Sequence, residues 1–184
     1  MRKLLAFIGC LAAAGCWQST GSLFGDVKPV QPFRAGKLVS TNPGKPADIG
    51  HSLLTRQNGG SYRLAATDKA DLGDAMVLRF FALPGLPKDV LVFEAVSDDA
   101  CKPGQTCHPI TAQSERDYGL VRATKTGAEV FNPECAKSST VAKLLGVKAD
   151  DYGGCTFGNR ASLEKALLGL AKQSWKTSLA YRYE

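Results

Sequence analysis

Six cysteines are the residues of this 184-residue chain whose spacing says most about chemistry. Cys101-Lys-Pro-Gly-Gln-Thr-Cys107 sets two thiols around Pro103-Gly104. That pair fits the centre of a type II turn, because Pro presets φ at the first central position and Gly accepts positive φ at the second. The turn would bring its flanks together, so Cys101 and Cys107 can close a small ring. Cys135 and Cys155 bracket a short helical pattern, and joining them would close a loop of about twenty residues, contributing roughly 3 kcal/mol on the chain-entropy model. Four cysteines allow three pairings, and the nearest-neighbour pairing is the expected one. A zinc site built from Cys101, Cys107, His108 and Cys135 competes with that reading. Structural zinc prefers paired ligands two to four residues apart, whereas these are more widely spaced or directly adjacent. No CxxC pair is present to set up a low-pKa thiolate. The expectation is therefore disulfide clamps, with no metal and no cofactor.

The remaining candidates are sparse. Only two histidines occur, which removes most metal-hydrolase and triad chemistry. His108 adjoins Cys107, but neighbours in an extended chain point to opposite sides, so a Cys–His nucleophile is disfavoured. His51 reads as a surface residue. Asp98-Asp99 and Asp150-Asp151 lack the spacing of a calcium loop and fit solvated or capping roles. Gly59-Gly60 and Gly153-Gly154 read as turn glycines without a phosphate-binding fingerprint. Trp175, Tyr181 and Tyr183 offer a binding surface, although packing is the commoner use of such residues. No catalytic residue is assigned. The enzyme alternative that survives is a hydrolase with a carboxylate or Ser site of no familiar pattern.

Composition bounds the partners. The formal charge is +6, with 44% apolar and 22% charged residues, which is ordinary globular usage and excludes a largely disordered chain. No apolar run after Gly15 approaches the 18 residues of a spanning helix. Lys and Arg are dispersed, which disfavours nucleic acid as a partner. A salt-sensitive attraction to anionic headgroups or cell-wall polymers fits the charge better.

The N-terminus carries an address. Met1-Arg2-Lys3 is a basic start, Leu4 to Ala14 is apolar, and Ala13-Ala14-Gly15-Cys16 ends the run. This segment resembles the lipobox signal of bacterial lipoproteins. The resemblance covers only these 16 residues, and it implies cleavage before Cys16 and acylation of that cysteine, palmitate-type chains included. An ordinary secretory cut after Ala12-Ala13-Ala14 is the rival. It would leave Cys16, Cys101, Cys107, Cys135 and Cys155, an odd set, whereas acylating Cys16 leaves an even one. Cys10 follows too short an apolar run to be the lipid site. Removing Arg2 and Lys3 with the signal takes the charge from +6 to +4. Trp17, standing where an Asp would favour inner-membrane retention, tilts the expected location to the outer membrane facing the periplasm of a Gram-negative envelope.

The elements that must position these residues are mostly short strands. Residues 1–15 are read as the signal peptide, 16–32 as the lipidated N-terminus and a flexible tether, and 33–184 as one domain. Lys37–Ser40, Ser61–Ala66, Met76–Leu83 and Val90–Ala95 have strand chemistry. The segment Thr41–Gly50 reads as turn-rich. Tyr118–Ala123 and Ala128–Phe131 suggest a hairpin in which Gly127 supplies positive φ. Ser139 can cap a short helix, and Ala161–Gln173 forms a second with Leu163, Leu167 and Leu170 on one stripe. Ser178–Tyr183 alternates as a terminal strand, with Leu179, Tyr181 and Tyr183 expected to pack against that stripe. The predicted class is α+β: an antiparallel sheet, two late helices on one face and a C-terminal edge strand. The expected role is a membrane-anchored envelope lipoprotein whose domain binds or scaffolds without catalysis, its partners being the membrane, an envelope protein or an anionic cell-wall polymer.

Overall fold

A computed structural model describes residues 17–68, 75–98, 110–133, 147–149, 155–172 and 177–184. In chain order the strands are β1 (Trp17–Thr20), β2 (Gly36–Asn42), β3 (Lys45–Arg56), β4 (Tyr62–Ala66), β5 (Ala75–Phe81), β6 (Val90–Ser97), β7 (Glu115–Thr124) and β8 (Gly127–Phe131). The two-residue strands β9 (Lys148–Ala149) and β10 (Cys155–Thr156), the helix α1 (Arg160–Ala171) and β11 (Leu179–Tyr183) follow.

The predicted α+β class is overturned: the fold is a closed, eight-stranded antiparallel barrel. Strands β2 to β8 each pair with the next in sequence, and β11 pairs with both β8 and β2 to close the ring. The C-terminal strand is thus the closing stave and not an edge. Local patterning shows where strands lie, but closure depends on pairing Tyr181 with Ser40 and Ala128 across long stretches of chain. Closure removes the edge backbone groups that an open sheet would leave unpaired. Only one α-helix occurs among the described residues; the helix expected near Ser139 lies outside them.

Strand alternation sorts the side chains into two cores. Met76, Phe80, Leu91, Phe93, Leu54 and Leu64 belong to the buried cluster inside the barrel. Phe81, Val90, Val92, Leu120 and Phe131 face outward and form a second cluster under α1 and the N-terminal segment. Every residue of β6 from Val90 to Val96 is buried because both of its faces are covered. Asn159 caps α1 by accepting from the Ser162 N–H at 3.0 Å, and Leu163 and Leu167 are fully buried against the outer wall.

Three further expectations change. Residues 17–32, read as a tether, begin as β1, which pairs with β7, and Trp17 and Phe24 are buried at 4% and 1% exposure. The segment lacks a period because it lies along the barrel as strand and turns, held by isolated aromatic anchors. Second, β3 starts at Lys45, inside the stretch read as turns. Its first half reaches beyond β4, which pairs only from Ser52 to Arg56, so its outward residues are exposed and no alternation marks it. Pro46 falls where the β2–β3 register shifts, a place that tolerates a missing N–H. Third, Leu179, Tyr181 and Tyr183 share a face as expected, but that face belongs to the inner cluster and not to the Leu163–Leu167 stripe. Gly127 is required by proximity: a Cβ there would lie 1.9 Å from the Tyr181 carbonyl oxygen.

Candidate ligand cavity

Eight strands make a barrel whose interior is either filled by side chains or holds one small ligand. This interior is incompletely filled. A cavity of about 60 Å³ runs among residues from all eight staves, including Leu38, Leu64, Met76, Phe93, Ala128 and Tyr181. Its walls carry no Lys, Arg, His, Asp or Glu. Outer-membrane barrels have a polar lumen and an apolar lipid-facing band. Here the polarity is reversed: the lumen is apolar, and the wall away from α1 bears Lys37, His51 and Arg182, all exposed.

One end of the cavity is closed by the chain just before β2. Phe33 is buried, with its ring edge-on to Phe80 and Tyr62 at centroid distances of 4.9 and 6.3 Å. Its backbone is tied on both sides. The Phe33 N–H donates to the Tyr62 hydroxyl at 3.1 Å, and its carbonyl accepts from that hydroxyl at 2.8 Å and from Arg56 Nη2 at 2.9 Å. Arg34 is held similarly, its N–H donating to the Tyr183 hydroxyl at 3.1 Å and its carbonyl accepting from it at 3.1 Å. The Arg34 guanidinium lies 4.3 Å from the centre of the Tyr183 ring. The tyrosines at this end are therefore structural ties with satisfied hydroxyls.

Tyr181 differs from them. It projects from β11 into the same interior and lines the cavity, and no hydrogen bond meets its hydroxyl among the described residues. Burial alone raises its pKa far above that of a free phenol, so the group stays protonated and remains a donor. Among the described residues, the buried side-chain atoms without a hydrogen-bond partner are Arg116 Nε and Asn132 Oδ1, and Tyr181 itself is only partly buried. Towards the other end of the barrel, Asp117 on β7 accepts from Gln18 Nε2 at 3.1 Å. Burial pushes its carboxyl up to about 6, against the lowering effect of the Gln18 bond.

The largest polar cluster sits outside the barrel, on the wall below the N-terminal segment. Glu94 is 2% exposed and pairs with Arg79. It also accepts from the Ser22 hydroxyl at 2.5 Å and from the Tyr118 hydroxyl at 3.0 Å. Ser22 in turn accepts from Arg79 Nη2 at 2.7 Å and from the Phe24 N–H at 3.2 Å. Tyr118 accepts from the Leu23 N–H at 3.0 Å, and its pKa is raised to about 12 by burial and then by Glu94. A serine beside a buried carboxylate is the kind of pair a hydrolase would need. Here the Ser22 hydroxyl is engaged three times in holding residues 22–24 to the wall, which makes the cluster a clamp.

The residues singled out in the sequence are dispersed. Cys16, Cys101, Cys107, Cys135, His108 and Trp175 lie outside the described residues, as do Asp99, Asp150, Asp151, Gly153 and Gly154. Cys155 is buried at 3% exposure beside Trp17 on paired strands, and it is disulfide-bonded. His51 is exposed and pairs with Asp68 at 3.0 Å, and Asp98 accepts from Arg63 at 2.7 Å. Gly59 and Gly60 form a short 3-10 turn. No cluster of three or more metal-ligating side chains occurs among the described residues. Tyr181 was visible in the sequence as one of a C-terminal aromatic group, but nothing local distinguished its free hydroxyl from the tied one of Tyr183. Compared with known proteins, the chain matches no family model, no curated protein and no solved structure.

Proposed function

We propose that this is an envelope lipoprotein whose barrel binds a small apolar ligand in its interior. The observation that carries the reading is the cavity: unfilled, apolar in its walls, and ringed by a closed sheet. Apolar cavities of this kind stay dry, so a ligand entering one displaces no well-held water. The volume is less than half of the roughly 150 Å³ that receives a benzene ring, which limits an occupant to a few carbon atoms. Met76 in the wall is the side chain best able to adjust to one.

Acylation of Cys16 would place this barrel close to a bilayer. Trp17 is already fixed in the outer core, so no free tether separates the lipid from the fold. Two or more acyl chains give a stable anchor. Replacing Cys16 with Ser should abolish fatty-acid labelling and release the protein from the membrane fraction; undiminished labelling would refute the anchor.

The cavity has a built-in reporter. The chain contains two methionines, Met1 and Met76, and only Met76 lies in the barrel wall. Titrating methionine-methyl-labelled protein with propane should shift the Met76 resonance saturably. Ala128→Leu, which fills the space from β8, should abolish that shift while leaving the fold intact. A Met76 signal indifferent to propane in the unaltered protein would remove the binding reading.

A further inference from the structure

We infer that residues 31–35 are the gate of the barrel's cavity and that Phe33 is its stopper, so that a ligand enters and leaves past Phe33. This rests on the reading of the cavity as a ligand site and adds the route by which that site is loaded. Among the residues that line the cavity, Phe33 is the one that does not belong to a stave. Every other part of the lining is held in the antiparallel ladder, and moving it would break strand pairing. Phe33 sits instead in a short strap between two fixed points. Upstream, the Val30 N–H donates to the Phe80 carbonyl at 2.8 Å; downstream, Gly36 opens β2 opposite Leu54. Among the described residues, no main-chain hydrogen bond joins residues 31–35 to the backbone of the barrel. Gln31, Pro32, Arg34 and Ala35 are exposed, and Phe33 is buried.

Side chains supply the ties that the ladder does not. Tyr62 and Arg56 hold the main chain of Phe33, and Tyr183 holds that of Arg34 from both sides. These latches release by small side-chain motions that leave every strand pair intact. A segment with few buried apolar contacts and no ladder bonds opens at lower free energy than the strands around it. Opening carries one apolar ring out of the lumen and uncovers the lining beneath it. Reburial of that ring against Phe80 and Tyr62, at centroid distances of 4.9 and 6.3 Å, restores the closed state.

A gate of this kind sets rates and not affinity. Loosening a latch raises the open fraction, which speeds entry and exit by the same factor and leaves the closed, ligand-holding state unchanged. Tyr62→Phe removes both hydrogen bonds to Phe33 without altering a residue that lines the cavity. The test follows propane exchange at half-saturation on the full-length protein, by relaxation dispersion of the Met76 methyl resonance. In Tyr62→Phe both rates should rise about 5- to 10-fold with Kd unchanged, the effect of losing a neutral hydrogen bond that holds the strap. If the rates stay those of the unaltered protein, propane passes elsewhere, and the gate is refuted while the cavity stands as a ligand site. If propane does not bind the unaltered protein, the cavity reading falls and the gate with it. Hydrogen exchange on the unaltered protein decides the matter even where Tyr62→Phe does not fold. The Phe33 amide should exchange at least about 10-fold faster than that of Val92 in β6. Equal protection of the two would mean that the strap opens only when the barrel unfolds, which also refutes the gate.

Discussion

The two faces of strand β6 experience opposite conditions. On the outside, Glu94 is almost wholly buried and meets Arg79, Ser22 and Tyr118, while Val92 packs beneath a helix whose Leu163 and Leu167 have no exposure. On the inside, Leu91, Phe93 and Ala95 face a core that retains about 60 Å³ of space. One strand supplies both, so the slack inside is not a general looseness of the fold. Protein interiors are normally packed close to crystal density. The contrast assigns stability to the outer wall, with its clamp and helix, and leaves the lumen as the place for the proposed ligand.

The strongest way to break that division is to remove β11. Deleting Ser178–Glu184 strips the closing stave, leaving β2 and β8 with open edges and taking away Leu179, Tyr181 and Tyr183 together. It also releases Arg34, which Tyr183 ties at the plugged end. Each large buried side chain lost costs about 2–5 kcal/mol, so the sum exceeds the net stability of most domains. The truncated protein should show no cooperative unfolding transition. A truncation that keeps the full-length Tm would mean that the outer wall folds without a closed barrel.

The next test asks whether the outer clamp stabilises without affecting recognition. Glu94→Ala leaves Arg79 without its carboxylate and unties Ser22 and Tyr118. Removing one partner of a buried ion pair typically costs about 3–5 kcal/mol, and the lower end applies because Arg79 retains some exposure. The urea midpoint should fall accordingly, while Met76 still reports propane binding with unchanged affinity at temperatures where the variant is folded. A loss below about 0.5 kcal/mol, the range of an ordinary surface substitution, would show that the cluster does not clamp.

How much of this was legible beforehand follows from the range of the interactions. The runs Met76–Leu83 and Val90–Ala95 announce β5 and β6 because β-branched and aromatic residues crowd them, and the helix over 160–171 announces itself by Leu163 and Leu167. Barrel closure could not be read, since it rests on Tyr181 meeting Ser40 and Ala128, partners that no local pattern links. The start of β3 was hidden by Pro46 and by outward-facing residues with no partner strand. The same logic hid the cavity. Leu179, Tyr181 and Tyr183 declared a shared face, but sequence does not say which of two apolar surfaces that face meets, and the nearer helix stripe was the wrong one.

The smallest effect concerns Asp117, where the two regions touch: it lies on the inward face of β7, yet its partner Gln18 comes from the N-terminal strand. Burial holds its folded pKa at about 6, above the ordinary carboxyl value of 3.8. The folded state therefore binds this proton more tightly than the unfolded chain does. Below about pH 4 both states are protonated and the group imposes no penalty; as pH rises towards and past 6, the unfolded chain ionises freely while the folded one must ionise at a cost, so stability falls. A shift of this size corresponds to about 3 kcal/mol at most, and partial exposure of the carboxyl reduces it. The measurement that isolates this group is the difference between unaltered protein and Asp117→Asn in urea midpoints at about pH 4.5 and about pH 7. The Asn variant should gain on the unaltered protein as pH rises, because the amide keeps the Gln18 contact and carries no charge. Should the two midpoints move in parallel across that range, Asp117 is solvated in the folded state, and the lumen is wetter at this end than its packing implies.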